Sequence, residues 1–268
     1  MPMDVRVKNN VRVTGVPDGP TVVLAHGFGC DQHLWRGVTA LLASTCRVVL
    51  FDHVGAGGSD LAAWNEEDYS GLDAYAADVV DLLVDLDFGP VVYVGHSVAS
   101  MIGVLAASER PELFDKLVLV TPSPRYIDDD DYQGGFTRGD IDELLESLDA
   151  NYLGWSAAIA PMIMDNPDRP ELAAELTDTF CRTDPSCARS FARATFLSDN
   201  RTDLGRVVTP TLVIECEHDA LAPREVGRFV HDNIVGSELI TLNASGHCPH
   251  VSHPDLTAAA ILSFVGRT

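Results

Sequence analysis

Apolar residues fall along this chain in two rhythms. Thr21–Ala25, Arg47–Phe51, Val91–Val94, Lys116–Val120, Thr211–Glu215 and Glu238–Leu242 are short, compact apolar runs. A strand that reads apolar on both faces is buried on both, as in a parallel sheet covered by helices. Between the runs, Tyr75, Val79, Leu82, Leu83 and Leu86 recur at three- and four-residue steps and predict a helix over Tyr75–Leu86. Ser97–Glu109 and Asp255–Val265 also read as helices. Near the start, Val5–Val7 and Val11–Thr14 flank Asn9-Asn10 and predict a hairpin. The alternation predicts an α/β sheet with helices on both faces.

One stretch breaks it. From Tyr126 to about Leu197 no strand pattern occurs. An acidic loop, Asp128–Asp131, and Gly134-Gly135 open the stretch, and helical patterns follow at Asp140–Asn151, Tyr152–Met164, Pro170–Cys181 and Pro185–Phe196. Pro161, Pro167, Pro170 and Pro185 are expected to break the chain between them. Four short helices between two core strands look like a lid. The expected organisation is a first core part over 1–125, a helical lid over 126–197 and a second core part over 198–268.

Composition narrows the function classes. Forty Asp and Glu against 18 Lys and Arg leave a net charge of −22, and Lys8 and Lys116 are the only lysines. Such a surface repels phosphate backbones, so no nucleic-acid partner is expected. The most apolar long stretch, Val91–Ser108, contains His96 and several small polar residues, whereas a spanning helix needs about 20 predominantly apolar ones. No membrane partner is expected. The start, MPMDVRVKNN, lacks the apolar core of a secretory leader. The six cysteines form no paired motif and are expected to be reduced thiols in the cytoplasm.

The strongest chemical signal is Val91-Val92-Tyr93-Val94-Gly95-His96-Ser97-Val98-Ala99. An apolar strand runs into Gly-His-Ser, and a helix rich in small residues follows. A sharp strand-to-helix turn of this kind lifts a Ser hydroxyl clear of the sheet. The common pattern is G-x-S-x-G, and Ala99 stands in the last position. Upstream, Leu24-Ala25-His26-Gly27-Phe28-Gly29 follows an earlier strand, where such folds supply a second oxyanion donor. The expected oxyanion hole is therefore the backbone N–H groups of Phe28 and Val98.

A Ser needs a base, and the base an orienting acid, in chain order Ser, acid, His. His247 follows the last strand in Ala244-Ser245-Gly246-His247, and Asp219 lies just past the strand Thr211–Glu215. The expected triad is Ser97, Asp219 and His247. Glu217, two residues from Asp219, competes for the acid role but sits closer to the strand body. Asp199 and Asp203 lie where the lid returns to the core. His250 and His253 share the loop of His247, yet no cysteine or carboxylate cluster gives them metal-ligand spacing. Neither metal nor cofactor is expected. His96 is expected to pack rather than to act as base, and Asp52 to cap a turn.

These residues resemble the α/β-hydrolase superfamily. Within it, His26-Gly27-Phe28-Gly29-Cys30-Asp31-Gln32, Gly95-His96-Ser97-Val98 and Ser123-Pro124-Arg125-Tyr126 are similar to one subfamily. Gly134-Gly135-Phe136, Asn151-Tyr152 with Trp155, Ala160-Pro161 and Gly246-His247-Cys248-Pro249-His250 fit the same pattern. That subfamily holds the bacterial stress regulator RsbQ and the plant karrikin and strigolactone receptor hydrolases, and the resemblance runs nearly end to end. It implies an α/β-hydrolase fold with a mostly parallel, eight-stranded-type sheet and a four-helix, V-shaped lid over an apolar pocket. It implies that Phe28, Tyr126, Phe136, Trp155 and Phe196 line that pocket, with Ile159, Leu221 and Val98 as further matches. The implied activity is a carboxylic-ester hydrolase acting on a small apolar ester, lactone or enol ether. The alternative is a signalling protein that binds or slowly hydrolyses a ligand and recruits a regulatory protein partner. The four consecutive Asp of the lid loop and the strong overall acidity depart from the pattern.

Overall fold

The computed structural model describes residues 4–267; Met1–Met3 of the N-terminal stretch and Thr268 lie outside them. Among the described residues one seven-stranded sheet forms the centre. Its strands are β1 (Arg12–Gly15), β2 (Thr21–Ala25), β3 (Arg47–Leu50), β4 (Val91–His96), β5 (Phe114–Val120), β6 (Thr211–His218) and β7 (Glu238–Ser245). They lie in the order β1-β3-β2-β4-β5-β6-β7, with β1 antiparallel to β3 and every other pair parallel. The helices are α1 (Val5–Lys8), α2 (Arg36–Leu42), α3 (Leu72–Leu86), α4 (Val98–Glu109), α5 (Arg138–Ala150) and α6 (Tyr152–Met164). They continue with α7 (Pro170–Arg182), α8 (Pro185–Phe196), α9 (Arg224–Asn233), α10 (Pro249–Ser252) and α11 (Pro254–Val265).

The strands are apolar throughout because side chains alternate between two buried faces. Val23 and Ala25 of β2, Tyr93 of β4 and Leu117 and Leu119 of β5 pack under α3 and α4. Val22 and Leu24, Val92 and Val94, and Val118 and Val120 face the other way, against Val38 and Leu42 of α2 and Ile261 and Phe264 of α11. Full burial of each such Val or Leu contributes roughly 1.5–3 kcal/mol. No helix of the described residues is long and apolar enough to cross a membrane.

The expected α/β-hydrolase architecture is present, with one strand fewer. Val5–Val7 is not half of a hairpin. Asp4 caps a short helical turn by accepting from the Arg6 N–H, and Arg6 and Lys8 pair with Asp85 and Asp78 of α3. None of the residues of α1 is buried, so apolar alternation there has no sheet face to answer to. β1 instead pairs with β3, through Arg12 opposite Leu50.

The four helices between β5 and β6 share an apolar core of their own. It is built from Ile141, Leu145 and Leu148, Trp155 and Ile163, Leu176 and Phe180, and Ala192 and Phe196, closing over Cys30, Tyr126 and Cys248. Thr137 and Asp140 form a reciprocal capping box at the start of α5. Pro170 and Pro185 begin α7 and α8, as fits a residue without an N–H. Pro161 does not break the chain as expected. It lies inside α6, where its carbonyl accepts from the Asp165 N–H at the helix end. α8 belongs to both cores, since its Phe191 stacks on Tyr75 of α3 at 4.5 Å.

Candidate active site

β4 ends at His96 and α4 begins at Val98, leaving Ser97 alone at the turn with φ 56° and ψ −123°. A non-glycine residue in that region stores about 1–3 kcal/mol of strain. The Ser97 N–H donates to the Val120 carbonyl at 2.9 Å, which holds the turn against β5. Gly95 permits the close strand-helix approach, because a Cβ there would lie 2.5 Å from the Ala99 carbonyl oxygen. Ala99, fully buried, fits where a glycine is common, and its carbonyl accepts from the Tyr93 hydroxyl at 3.0 Å.

The turn brings Ser97 to His247 across 150 residues of sequence: Ser97 Oγ lies 2.8 Å from His247 Nε2. His247 Nδ1 lies 2.8 Å from Asp219 Oδ2. The other Asp219 oxygen accepts the N–H groups of Leu221 and Ala222, at 2.8 and 3.1 Å. His247 is pinned by its backbone as well. Its N–H donates to the Ile163 carbonyl of α6 at 2.8 Å, and its carbonyl accepts from His96 Nε2 at 2.8 Å and from Thr121 Oγ1 at 3.0 Å. His96 thus packs behind His247, and burial drives its imidazole well below the ordinary histidine range, so it is neutral.

The competing acids are occupied elsewhere. Glu217 is exposed, Asp199 pairs with Arg125 and Arg201, and Asp203 with Arg206. Asp52 is buried and accepts from Gln32 N, Asn10 Nδ2 and Gly58 N, tying three loops together. Asp219→Asn is expected to lower turnover about 10⁴-fold, because an amide there favours the wrong imidazole tautomer. Glu217→Gln should leave it near the original rate. Steady-state hydrolysis of a short ester by both variants checks the ranking, and the reverse order would move the acid role to Glu217.

Gly27 brings the loop after β2 against Ser97: a Cβ there would stand 2.7 Å from His96 Nδ1 and 3.2 Å from Ser97 Cβ. Among the described residues, the N–H groups of Phe28 and Val98 make no hydrogen bond to a protein acceptor. Both are free to donate to a developing oxyanion.

Above Ser97 and His247 lies a narrow cavity of about 30 Å³. Its walls stand close together. Of the residues singled out from sequence, Phe28, Tyr126, Trp155, Ile159, Phe196 and Leu221 line it. Phe28 is the hub, with ring centroids of Trp155, Phe180 and Phe196 at 6.1, 5.6 and 5.9 Å. Phe136 does not line this cavity. It borders an open groove between α5 and α6 that shares Leu144, Trp155 and Ile159 with it. Val98 is absent from the wall.

Sequence reasoning missed Cys30, Leu144, Ile163, Leu176, Phe180, Thr195 and Cys248 as wall residues. Leu176 and Phe180 were within reach, being four apart on one face of α7. Burial pushes the Cys30 and Cys248 thiols up, so they act as small apolar groups. The three histidines between β7 and α11 do separate things: His247 meets Ser97, His250 of α10 packs between Trp35 and His96 at 4.3 Å from each, and His253 bonds Ser252 at 2.9 Å.

A family model described as the alpha/beta hydrolase family matches residues 22–260. The karrikin insensitive 2 receptor CA of Petunia hybrida is 38% identical over 258 residues, which cover 96% of this chain and 95% of that protein. The strigolactone esterase D14 of Arabidopsis thaliana is 37% identical over 246 residues, 91% of either chain. Among solved structures, a hydrolase from Oleispira antarctica superposes with a TM-score of 0.96 at 40% identity, over 99% of this chain and 97% of that one.

Proposed function

This chain belongs to the alpha/beta hydrolase family and is an esterase-type hydrolase; from that premise we propose that it cleaves a small apolar ester or lactone through an acyl-enzyme on Ser97. The observation that carries this reading is the Ser97–His247–Asp219 line of hydrogen bonds opening on an apolar cavity. Asp219 holds the Nδ1–H tautomer of His247, which leaves Nε2 to take the Ser97 proton as Oγ attacks the carbonyl carbon. The oxyanion falls between the Phe28 and Val98 N–H groups. Collapse expels the alkoxide, which leaves as the alcohol with the proton from His247. Water then repeats the sequence and frees the acid.

The cavity narrows the substrate. No Lys, Arg, Asp or Glu stands among its wall residues, so a charged ligand would be desolvated without a partner. Its walls stand close together over Ser97, which leaves no room for a polymer chain. We read the insert over 126–197 as a lid on a core made of 1–125 and 198–268. The test is Trp155→Ala. Its ring sits in the wall 5.4 Å from Phe180, so loss should raise KM for bulky apolar esters at least several-fold more than for acetate esters. Equal effects on both would assign Trp155 to folding.

A second reading is favoured by the receptor name of a relative that is 38% identical over nearly the whole chain. On it, ligand turnover is slow and a regulatory protein partner reads the state of the lid. Rapid, repeated turnover of several short esters supports housekeeping hydrolysis. One slow turnover followed by a persistent change in melting temperature supports signalling.

A further inference from the structure

Tyr126 stands where the chain leaves the core after β5. Its phenol is buried and lies 3.2 Å from Ser97 Oγ. The direction of every proton in this cluster follows from chemistry. The Asp219 carboxylate only accepts, so His247 Nδ1 carries a proton toward it. His247 Nε2 is then the bare nitrogen and accepts the Ser97 O–H. The proton of Ser97 is thereby committed, and the Tyr126 O–H donates to a lone pair on Oγ. Among the described residues the phenol has no other hydrogen-bond partner.

The phenol is held there from three sides. Its ring meets Phe196 edge-on at 5.1 Å, and the Tyr126 carbonyl accepts from the Phe136 N–H at 3.2 Å. Gly134 abuts the same carbonyl so closely that a Cβ would lie 2.4 Å from it. Burial, with the Asp219 charge nearby, pushes the phenol's ionisation up, so Tyr126 keeps its proton and remains a donor through the cycle.

We propose that Tyr126 is a catalytic hydrogen-bond donor to Ser97 Oγ, acting chiefly in release of the acyl group. The proposal rests on the hydrolase reading above. Oγ changes character through the cycle. In free enzyme it is a serine oxygen made electron-rich by its bond to His247. In the acyl-enzyme it is an ester oxygen, a poor acceptor. In the tetrahedral intermediate that precedes acyl release it regains electron density as the C–Oγ bond breaks and His247 returns a proton to it. A donor aimed at Oγ therefore binds the free enzyme and the tetrahedral states well and the acyl-enzyme poorly. Its effect nearly cancels in acylation, where both the starting state and the transition state hold it. It does not cancel in deacylation, where only the transition state does.

The experiment is rapid-mixing hydrolysis of p-nitrophenyl acetate by Tyr126→Phe, which keeps the ring and removes the hydroxyl. The initial nitrophenolate burst should keep its rate constant within about threefold. Deacylation should slow about tenfold, the size expected for one neutral hydrogen bond, and the acetyl-enzyme should accumulate by intact-protein mass spectrometry. Rate constants that fall together, or a deacylation rate that does not change, would overturn the proposal. A melting temperature close to that of the unaltered protein separates this chemistry from damage to the fold. If the unaltered protein forms no acetyl adduct on Ser97, the hydrolase reading itself falls, a result distinct from a normal burst with an insensitive Tyr126.

Discussion

Ser97→Ala is expected to remove hydrolysis of p-nitrophenyl acetate down to the background of the folded protein, a loss on the order of 10⁵-fold or more. What remains is oxyanion and binding assistance, about 10³–10⁴ over water in enzymes of this chemistry. The fold should survive. The backbone bond from the residue-97 N–H to Val120 does not involve the side chain, and alanine is no worse than serine at φ 56°. The Tyr126 hydroxyl and His247 Nε2 each lose a partner, which costs about 1–3 kcal/mol for each buried group left unsatisfied. Melting should therefore shift by a few degrees while activity vanishes. An active-site fluorophosphonate should label the unaltered protein once, on Ser97, and the variant not at all. A variant retaining more than a few per cent of the rate would take the nucleophile's role away from Ser97.

The second large effect concerns acid. His53, His96 and His250 are buried, and burial drives all three imidazoles below the ordinary histidine range, His250 to about 3. Neither ring nitrogen of His53 or His250 has a hydrogen-bond partner among the described residues. Their neutral forms are the ones the fold accepts. In the unfolded chain each takes up a proton as pH falls through about 6.5. The unfolded state then binds more protons than the folded one, so stability is full above about 6.5 and declines as pH drops toward the folded values. Each histidine contributes about 1.4 kcal/mol between pH 7.5 and 5.5, so three give about 4 kcal/mol. That is a large part of a typical 5–15 kcal/mol and should lower the melting temperature by roughly 10 °C. Carboxylate protonation, which relieves the −22 net charge, begins below this window. Thermal melts from pH 7.5 to 5.5 measure the slope, and His250→Leu should remove about a third of it. A melting temperature flat across that range would show that the three rings accept protons inside the fold.

How much of this was legible in the residues varies with how local each feature is. The parallel sheet was readable because each strand is a short unbroken apolar run, a property of five or so neighbouring residues. The helices between β5 and β6 were readable within two residues at either end, because Pro170 and Pro185 mark two of their starts and each carries its own apolar stripe. α2 and α9 were not singled out. α9 buries only Val226, Gly227 and Val230, and Arg224, Glu225, Arg228 and Asp232 make it too polar a segment to be noticed by its apolar content. Val5–Val7 misled because an alternating run does not say whether a partner strand is near. Asp78 and Asp85 on α3 decided that question.

By itself the sequence determined the fold family and the residue types available for chemistry: a Ser in a strand-to-helix turn, a His after the last strand, acids after the strand before it, aromatics on an insert. Distances came only with the tertiary structure, because Ser97, Asp219 and His247 meet through packing of strands β4, β6 and β7 rather than through any local pattern. The same packing decided what composition could not. Among the described residues it set Phe136 on the outer groove, left His53 and His250 buried without side-chain hydrogen-bond partners, and gave the Tyr126 hydroxyl one acceptor, the oxygen of Ser97. Apolar patterning acts over a few residues and survives in one dimension. Hydrogen-bond direction and the exclusion of water depend on which distant segments share a layer, and that is a property of the folded chain alone.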